Sequence, residues 1–77
     1  MSKFKGKRVL IVGAKNTGSA LAKFFHSQGA KITISDKKTR EELGGLADML
    51  EEFEPEWDLG GHSAKAVTNQ DLIVLSP

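Results

Sequence analysis

Two places in the chain carry groups suited to holding an anion: the loop Gly13-Ala14-Lys15-Asn16-Thr17-Gly18 and, eighteen residues after its second glycine, Asp36. The loop follows Val9 to Val12, a continuous apolar run rich in β-branched residues, as expected of a parallel strand buried on both faces. It precedes an amphipathic stretch from Thr17 to Gln28. A strand end and a helix N-terminus therefore meet there. Orphan backbone N–H groups and the positive end of the helix dipole make such a junction an anion site, with a phosphate or diphosphate as the natural occupant.

The loop matches the dinucleotide pattern Gly-x-Gly-x-x-Gly at its first and last glycines, Gly13 and Gly18, while Lys15 holds the middle position. In that pattern the middle glycine lets the backbone approach a pyrophosphate, so Lys15 weakens a nicotinamide or flavin reading. Lys15 either supplies charge or points to water. Thr17 offers a hydroxyl. Asp36 ends the second strand, where an acid accepts hydrogen bonds from a nucleoside: ribose hydroxyls in a dinucleotide site, or the N3–H of uracil in a uridine site. The plainer alternative is a turn aspartate that caps the next segment. Lys37 and Lys38 flank the base or the phosphates, or are simply exposed turn lysines. Ser76 ends the last strand and faces the same crevice as the Gly13 loop.

The elements that must position these groups follow from periodicity. Strands are expected at about Arg8 to Val12, Lys31 to Asp36, Trp57 to Leu59 and Asp71 to Leu75. Ala20, Leu21, Phe24 and Phe25 recur at helical spacing and predict one buried stripe, closed by Gly29 as a left-handed cap. Phe4 is expected to pack back on the domain edge. Thr39 and Glu42 have capping-box spacing, yet Gly44 and Gly45 interrupt the pattern, which favours a helix from Leu46 to Phe53 stopped by Pro55. Ser63 can cap a brief helix to about Thr68. Trp57 reads as core at the sheet edge, and Glu51, Glu52, Glu54 and Glu56 as a solvated acidic stretch. The fold class is α/β: a Rossmann-like parallel sheet in strand order 3-2-1-4 with helices on both faces.

Seventy-seven residues make one small domain, which buries roughly 60% of the surface of its unfolded chain. With the Gly13 loop, the expectation for residues 1–77 is a single nucleotide-binding domain. The chain stops at the carboxyl end of a strand, so the expectation is an N-terminal piece of a longer multidomain polypeptide. Such a piece should expose apolar surface around its fourth strand and self-associate.

Without cysteine the chain has no disulfide, thiolate metal site or cysteine nucleophile. Its longest apolar runs fall far short of a membrane span, and the lysine-rich start lacks the apolar core of a signal peptide; a cytoplasmic protein is expected. The net charge of +1 hides an asymmetry: residues 1–40 hold ten basic residues and one acid, a balance of +9, and residues 41–77 hold nine acids and one base, a balance of −8. The positive field around the Gly13 loop either draws an anionic ligand or only keeps a small domain soluble. Modest total charge without interleaved aromatics argues against nucleic acid. His26 sits late in the first helix. His62, after Gly60-Gly61, reads as an ordinary loop histidine that could approach a ligand. The two are too far apart, with no clustered carboxylates, to make a metal site. No nucleophile is paired with a base, and no phosphate loop of ATPase type is visible.

Three pieces carry a resemblance: Gly6-Lys7-Arg8-Val9-Leu10-Ile11-Val12-Gly13 with Thr17-Gly18; the Asp36 strand end; and Leu59-Gly60-Gly61-His62 followed by Asp71-Leu72-Ile73-Val74-Leu75-Ser76-Pro77. Together they resemble the N-terminal domain of the Mur ligases, most closely those that add D-glutamate to UDP-N-acetylmuramoyl-L-alanine. The resemblance spans essentially the whole chain, and in that family the last strand runs into Ser-Pro-Gly. It implies a domain that holds the UDP part of UDP-N-acetylmuramoyl-L-alanine. The missing central and C-terminal domains would use ATP and Mg²⁺ to form an acyl phosphate and then an amide in peptidoglycan synthesis.

By that resemblance Gly13, Asn16, Thr17 and Gly18 form the diphosphate loop and Asp36 contacts uracil. Lys37 and Lys38 line its pocket, and Ser76 lies near the sugar. The family often has glycine where Lys15 stands and an arginine near the lysine pair. Residues 1–77 would not catalyse the reaction alone. The competing readings are a nicotinamide-binding domain of an oxidoreductase or redox sensor, and a non-catalytic nucleotide-sensing module.

Overall fold

Four strands form one parallel sheet: β1 (Arg8–Val12), β2 (Lys31–Asp36), β3 (Glu56–Leu59) and β4 (Leu72–Leu75), in the order β3-β2-β1-β4. The predicted order 3-2-1-4 is the observed one. The computed structural model describes residues 3–15 and 17–76. Asn16, given a diphosphate contact by resemblance, and Pro77 lie outside the described residues.

The helices are α1 (Gly18–Ser27), α2 (Arg40–Leu43), α3 (Gly45–Leu50), which runs into a 3₁₀ turn at Glu51–Phe53, and α4 (Ala64–Thr68). The chain steps from β1 to β2 to β3 in one direction and returns across the sheet to β4. Right-handed crossovers therefore carry α1, α2 and α3 over one face and α4 over the other.

Strand alternation sorts the side chains by face. Val9, Ile11, Ile32 and Ile34 join Ala14, Ala22, Phe25, Leu43, Ala47 and Leu50 in one buried cluster under α1 to α3. Leu10 and Ser35, at the alternate positions, are equally buried but face the other way. That second face is thin. No residue of α4 is buried, and beside it Ile73 and Leu75 stay exposed, Leu75 by 72%. The apolar surface expected around the fourth strand is present.

Two helical expectations need correction. The buried residues of α1 are Gly18, Ala22 and Phe25, while Ala20 is exposed and Phe24 is half exposed. Spacing of four and then three residues centres the stripe on Ala22, and Phe24 is left on its flank, edge-on to Phe4 and Phe25. Phe4 packs on the core as expected. The second correction concerns residues 39–53. The capping box forms in full, Glu42 N–H to Thr39 Oγ1 at 3.2 Å and Thr39 N–H to Glu42 Oε1 at 3.0 Å, and starts a helical turn at Arg40. Gly44, at φ +56°, then bends the chain into α3 instead of preventing helix on its N-terminal side.

Glu51 is not simply solvated. It accepts the indole N–H of Trp57 and pairs with Arg40, whose guanidinium lies 5.4 Å from the indole ring centre. Gly29 is the left-handed residue after α1, at φ +79°, and Ser63 caps α4 through the N–H of Ala66.

Candidate functional site

β1, β2 and β4 all end at one place, and there the chain makes its sharpest turns. Gly13 leaves β1 at φ +102° while its N–H donates to Ser35 O at 2.7 Å, so the turn stays tied to the strand beside it. A side chain at that φ would be strained, and a Cβ there would meet the Cβ and carbonyl oxygen of Ser76 at 3.3 Å. Gly18 opens α1 directly over the turn. A Cβ on Gly18 would lie 2.4 Å from the carbonyl oxygen of Gly13, inside any tolerable contact. Both glycines are thus required by the close approach of strand end, helix start and Ser76.

Ser76 closes this arrangement from β4. Its N–H donates to Val12 O at 2.8 Å, extending the sheet by one residue, and its hydroxyl donates to Lys15 O at 3.0 Å. Thr17 Oγ1 lies 3.0 Å from Ser76 Oγ. Because the single proton of Ser76 is committed to Lys15, Thr17 is the donor of that pair. Thr17 is also the N-cap of α1, and its side chain makes no capping bond. Its hydroxyl is thus engaged with Ser76 and not with the helix backbone.

Asp36 fixes the other wall. It is buried, with 8% of its surface exposed, and each carboxylate oxygen accepts one backbone N–H: Ala14 to Oδ2 at 2.8 Å and Lys38 to Oδ1 at 2.9 Å. Burial by itself would raise its pKa. The two hydrogen bonds, with the nearby charges of His62 and Lys38, outweigh burial and hold the group below the usual aspartate value. The carboxylate has about four lone-pair sites, of which these bonds use two. Asp36 therefore anchors the Gly13 loop and retains capacity for a ligand donor. The bond to Lys38 N–H also makes it the turn aspartate that sequence reasoning held as the plainer alternative.

Of the residues singled out from sequence, Gly13, Thr17, Gly18, Asp36 and Ser76 are brought together by these contacts. Lys38 is half-buried at the rim, where its carbonyl accepts Gly60 N–H at 3.0 Å, and Lys37 is exposed. A groove of about 830 Å³ lies elsewhere, largely along the amino ends of the strands at Arg8, Lys31 and Glu56. Parallel sheets of this kind place ligands at the opposite, carboxyl end, which makes the Gly13 loop and not this groove the candidate site.

A second network was not anticipated. Ser35 Oγ donates to Asp58 Oδ2 at 2.7 Å and lies 2.6 Å from His62 Nδ1, and Asp58 Oδ2 also accepts Ser63 N–H at 3.0 Å. With the Ser35 proton on Asp58, His62 donates from Nδ1. The hydrogen bond from Ser35, foremost, and those from Ser63 hold the Asp58 carboxyl below its ordinary range. His62 is therefore more than an ordinary loop histidine: it pins the Gly60-Gly61 turn beside Asp36, whose carbonyl oxygen accepts Gly61 N–H at 3.3 Å. The signal was present in the parallel register, which sets Ser35 opposite Asp58.

Comparison with known proteins adds an independent line. Residues 7–77 match the family model of the Mur ligase MurD-like N-terminal domain. The chain is 43% identical over 76 residues to the UDP-N-acetylmuramoylalanine–D-glutamate ligase of Bdellovibrio bacteriovorus, covering 99% of this chain and 16% of that protein. It is 44% identical over 77 residues to the same-named ligase of Syntrophotalea carbinolica, covering 100% of this chain and 17% of that one. The chain thus spans about one sixth of the length of these curated relatives. Among solved structures, the precorrin-2 dehydrogenase SirC superposes with a TM-score of 0.67 at 23% identity, over 99% of this chain and 37% of that one. At that identity the likeness concerns the fold alone.

Proposed function

The chain belongs to the MurD-like N-terminal domain family of the Mur ligases, and from that membership we propose that it binds the UDP part of UDP-N-acetylmuramoyl-L-alanine for a ligase that adds D-glutamate in peptidoglycan synthesis. The observation that carries this reading is the closure of the Gly13 turn by α1 and Ser76, with Gly18 at its apex and the Asp36 carboxylate fixing the loop from beneath. Gly13, Asn16, Thr17 and Gly18 hold the diphosphate through backbone N–H groups and the Thr17 hydroxyl. Asp36 offers its remaining lone pairs to uracil N3–H. Lys37 and Lys38 border the base, and Ser76 faces the sugar.

ATP and Mg²⁺ enter this proposal as reactants of the longer ligase and no step is derived through them. The chain has no phosphate loop of ATPase type, and among the described residues no group of three His, Asp or Glu side chains could hold a metal. The reading assigns these residues the task of binding and orienting a substrate, with bond formation carried out by other parts of a ligase. A cytoplasmic location belongs to the same proposal; among the described residues no helix is long and apolar enough to cross a membrane. A nicotinamide dinucleotide, the alternative with the same fold, is disfavoured by Lys15 where the backbone would have to approach the pyrophosphate.

Calorimetric titration with UDP, UDP-N-acetylmuramoyl-L-alanine and NAD tests the reading. Both uridine ligands should bind more tightly than NAD, and Asp36→Ala should weaken them. Tighter binding of NAD, or uridine affinity unchanged by Asp36→Ala, would count against it.

A further inference from the structure

We propose that the end of the domain opposite the Gly13 loop, where the amino ends of β1 and β2 meet the last turn of α1, is a docking surface for an anionic lipid membrane. Lys3, Lys5, Lys7 and Lys31 meet the headgroups there, and the Phe24 ring enters between them. Docking at this end is independent of what the Gly13 loop holds.

The sequence supplies the charge. Residues 1–35 hold six lysines, one arginine and no acid. The fold then gathers most of these at one end. Residues 4–7 make a turn, with Lys7 N–H donating to Phe4 O at 2.9 Å, and the turn is bonded to the α1–β2 connection: Gly6 N–H donates to Gly29 O at 2.9 Å and Lys31 N–H to Lys7 O at 2.8 Å. The approach is close, since a Cβ on Gly29 would meet Lys5 Cγ at 3.3 Å. Lys3, Lys5, Lys7 and Lys31 are therefore held around two adjacent strand ends, and all four are exposed.

Aromatic surface lies among them. Lys3 Nζ is 5.4 Å from the centre of the Phe4 ring, and Phe4 stands edge-on to Phe24 and Phe25, with ring centres 6.2 and 5.1 Å away. α1 begins over the Gly13 turn and runs back along the sheet, which carries Phe24 to this end with 49% of its surface exposed. A half-exposed aromatic ring beside several lysines has the make-up of an interfacial anchor.

Acids leave these charges unneutralised. Among the described residues the ion pairs join Arg8 to Asp71 and Arg40 to Asp48 and Glu51, and no lysine takes part. Glu54 and Glu56 stand beyond β2, at the outer edge of the sheet.

The residue types choose the partner. The unpaired charges are lysines, hydrated point charges on flexible stems, while the guanidinium at this end, Arg8, is committed to Asp71. Lysine is depleted from protein–protein interfaces, where arginine and buried aromatic anchors supply the affinity. Single-stranded nucleic acid calls for a basic groove with a succession of stacking rings, and here one ring, Phe24, is that exposed. A diffuse anionic surface needs neither pocket nor fixed geometry, and a cluster of lysines with one ring suits it. Such docking is peripheral and leaves the Gly13 loop, at the opposite strand ends, facing solvent.

Co-sedimentation of the chain with phosphatidylcholine vesicles, with and without phosphatidylglycerol, tests the proposal. The chain should bind the anionic vesicles and not the neutral ones, and should release them as salt rises. Lys5→Gln and Lys31→Gln should each weaken binding about fivefold, the worth of one lysine at an anionic surface. Phe24→Ser should weaken it with the salt dependence unchanged. Lys37→Gln removes the same charge from an exposed position at the opposite end and should have no effect. No binding to anionic vesicles at low ionic strength would overturn the proposal. So would equal binding to neutral vesicles, which would point to the exposed β4 face, or a loss with Lys37→Gln as large as that with Lys5→Gln, which would reduce the effect to net charge. Tighter binding to a single-stranded oligonucleotide or to polyglutamate than to the vesicles, with the same dependence on Lys5 and Lys31, would overturn it in favour of nucleic acid or an acidic protein.

Discussion

The Asp36 carboxylate accepts the backbone N–H of Ala14 at 2.8 Å, a bond that spans 22 residues and ties the end of the second strand to the loop after the first. A residue that sequence patterns read as a ligand contact is therefore also the anchor of the loop. Asp36→Asn keeps one acceptor oxygen and loses the charge, and should destabilise the chain by about 2 kcal/mol, the usual worth of a charge-assisted bond to a buried group. Denaturant unfolding with an unchanged m-value checks this; a loss of a few tenths would deny the anchoring role.

The acid dependence of stability carries a definite sign. Asp36, Asp58 and Asp71 all have pKa values lowered in the folded chain. A lowered carboxylate contributes stability that is present above its unfolded value, near pH 4, and is lost as pH falls through its folded value. Stability should therefore decline from about pH 5 downward, and Asp36→Asn should make the decline shallower. A slope unaffected by Asp36→Asn would show that its hydrogen bonds do not persist in solution.

The turn itself is sterically committed. Gly18→Ala places a Cβ 2.4 Å from Gly13 O, which only a shift of α1 or of the loop can relieve. The expected cost is about 2–4 kcal/mol, read as a lowered melting temperature. The substitution Gly45→Ala, where a Cβ meets nothing within 4 Å, is the control and should cost far less.

Ser35 links Asp58 to His62, so Ser35→Ala should return the Asp58 carboxyl toward the ordinary aspartate range and release the His62 ring. A carboxyl NMR titration reads the first change, and the line widths and chemical shifts of the imidazole ring read the second. An Asp58 titration curve identical in the variant would remove Ser35 as the source of the shift.

The thin face of the sheet predicts association. Ile73 and Leu75 lie exposed on that face of β4, which among the described residues is an edge strand, a surface that pairs readily with another chain. Sedimentation should show reversible, concentration-dependent self-association that Leu75→Lys suppresses. A monomer at every concentration would contradict this.

Much of the fold was legible because strong local signals agreed. The β-branched run at Val9 to Val12, the alternation of Ile32 and Ile34, and the glycines at strand and helix ends each implied an element that the right-handed crossover rule could then order. Residues 39–53 were less legible, because Gly44 and Gly45 read as breakers although a positive φ at Gly44 lets the capped helix α2 turn directly into α3 over the same core. For the site, glycine spacing located the turn. The double role of Asp36 and the Ser35–Asp58–His62 network depend on which strands lie side by side and in what register, which no local window contains.

In the proposed function the Gly13 loop and the Asp36 strand end together hold a uridine diphosphate nucleotide. An amide-shift titration of the isotopically labelled chain with UDP-N-acetylmuramoyl-L-alanine, alongside a matched titration with NAD, tests it most directly. Saturable shifts with the uridine ligand are expected, confined to Gly13 through Gly18, Asp36 through Lys38 and Ser76. Shifts at those residues with NAD alone, or uridine-induced shifts located in the groove at Arg8 and Lys31, would contradict it.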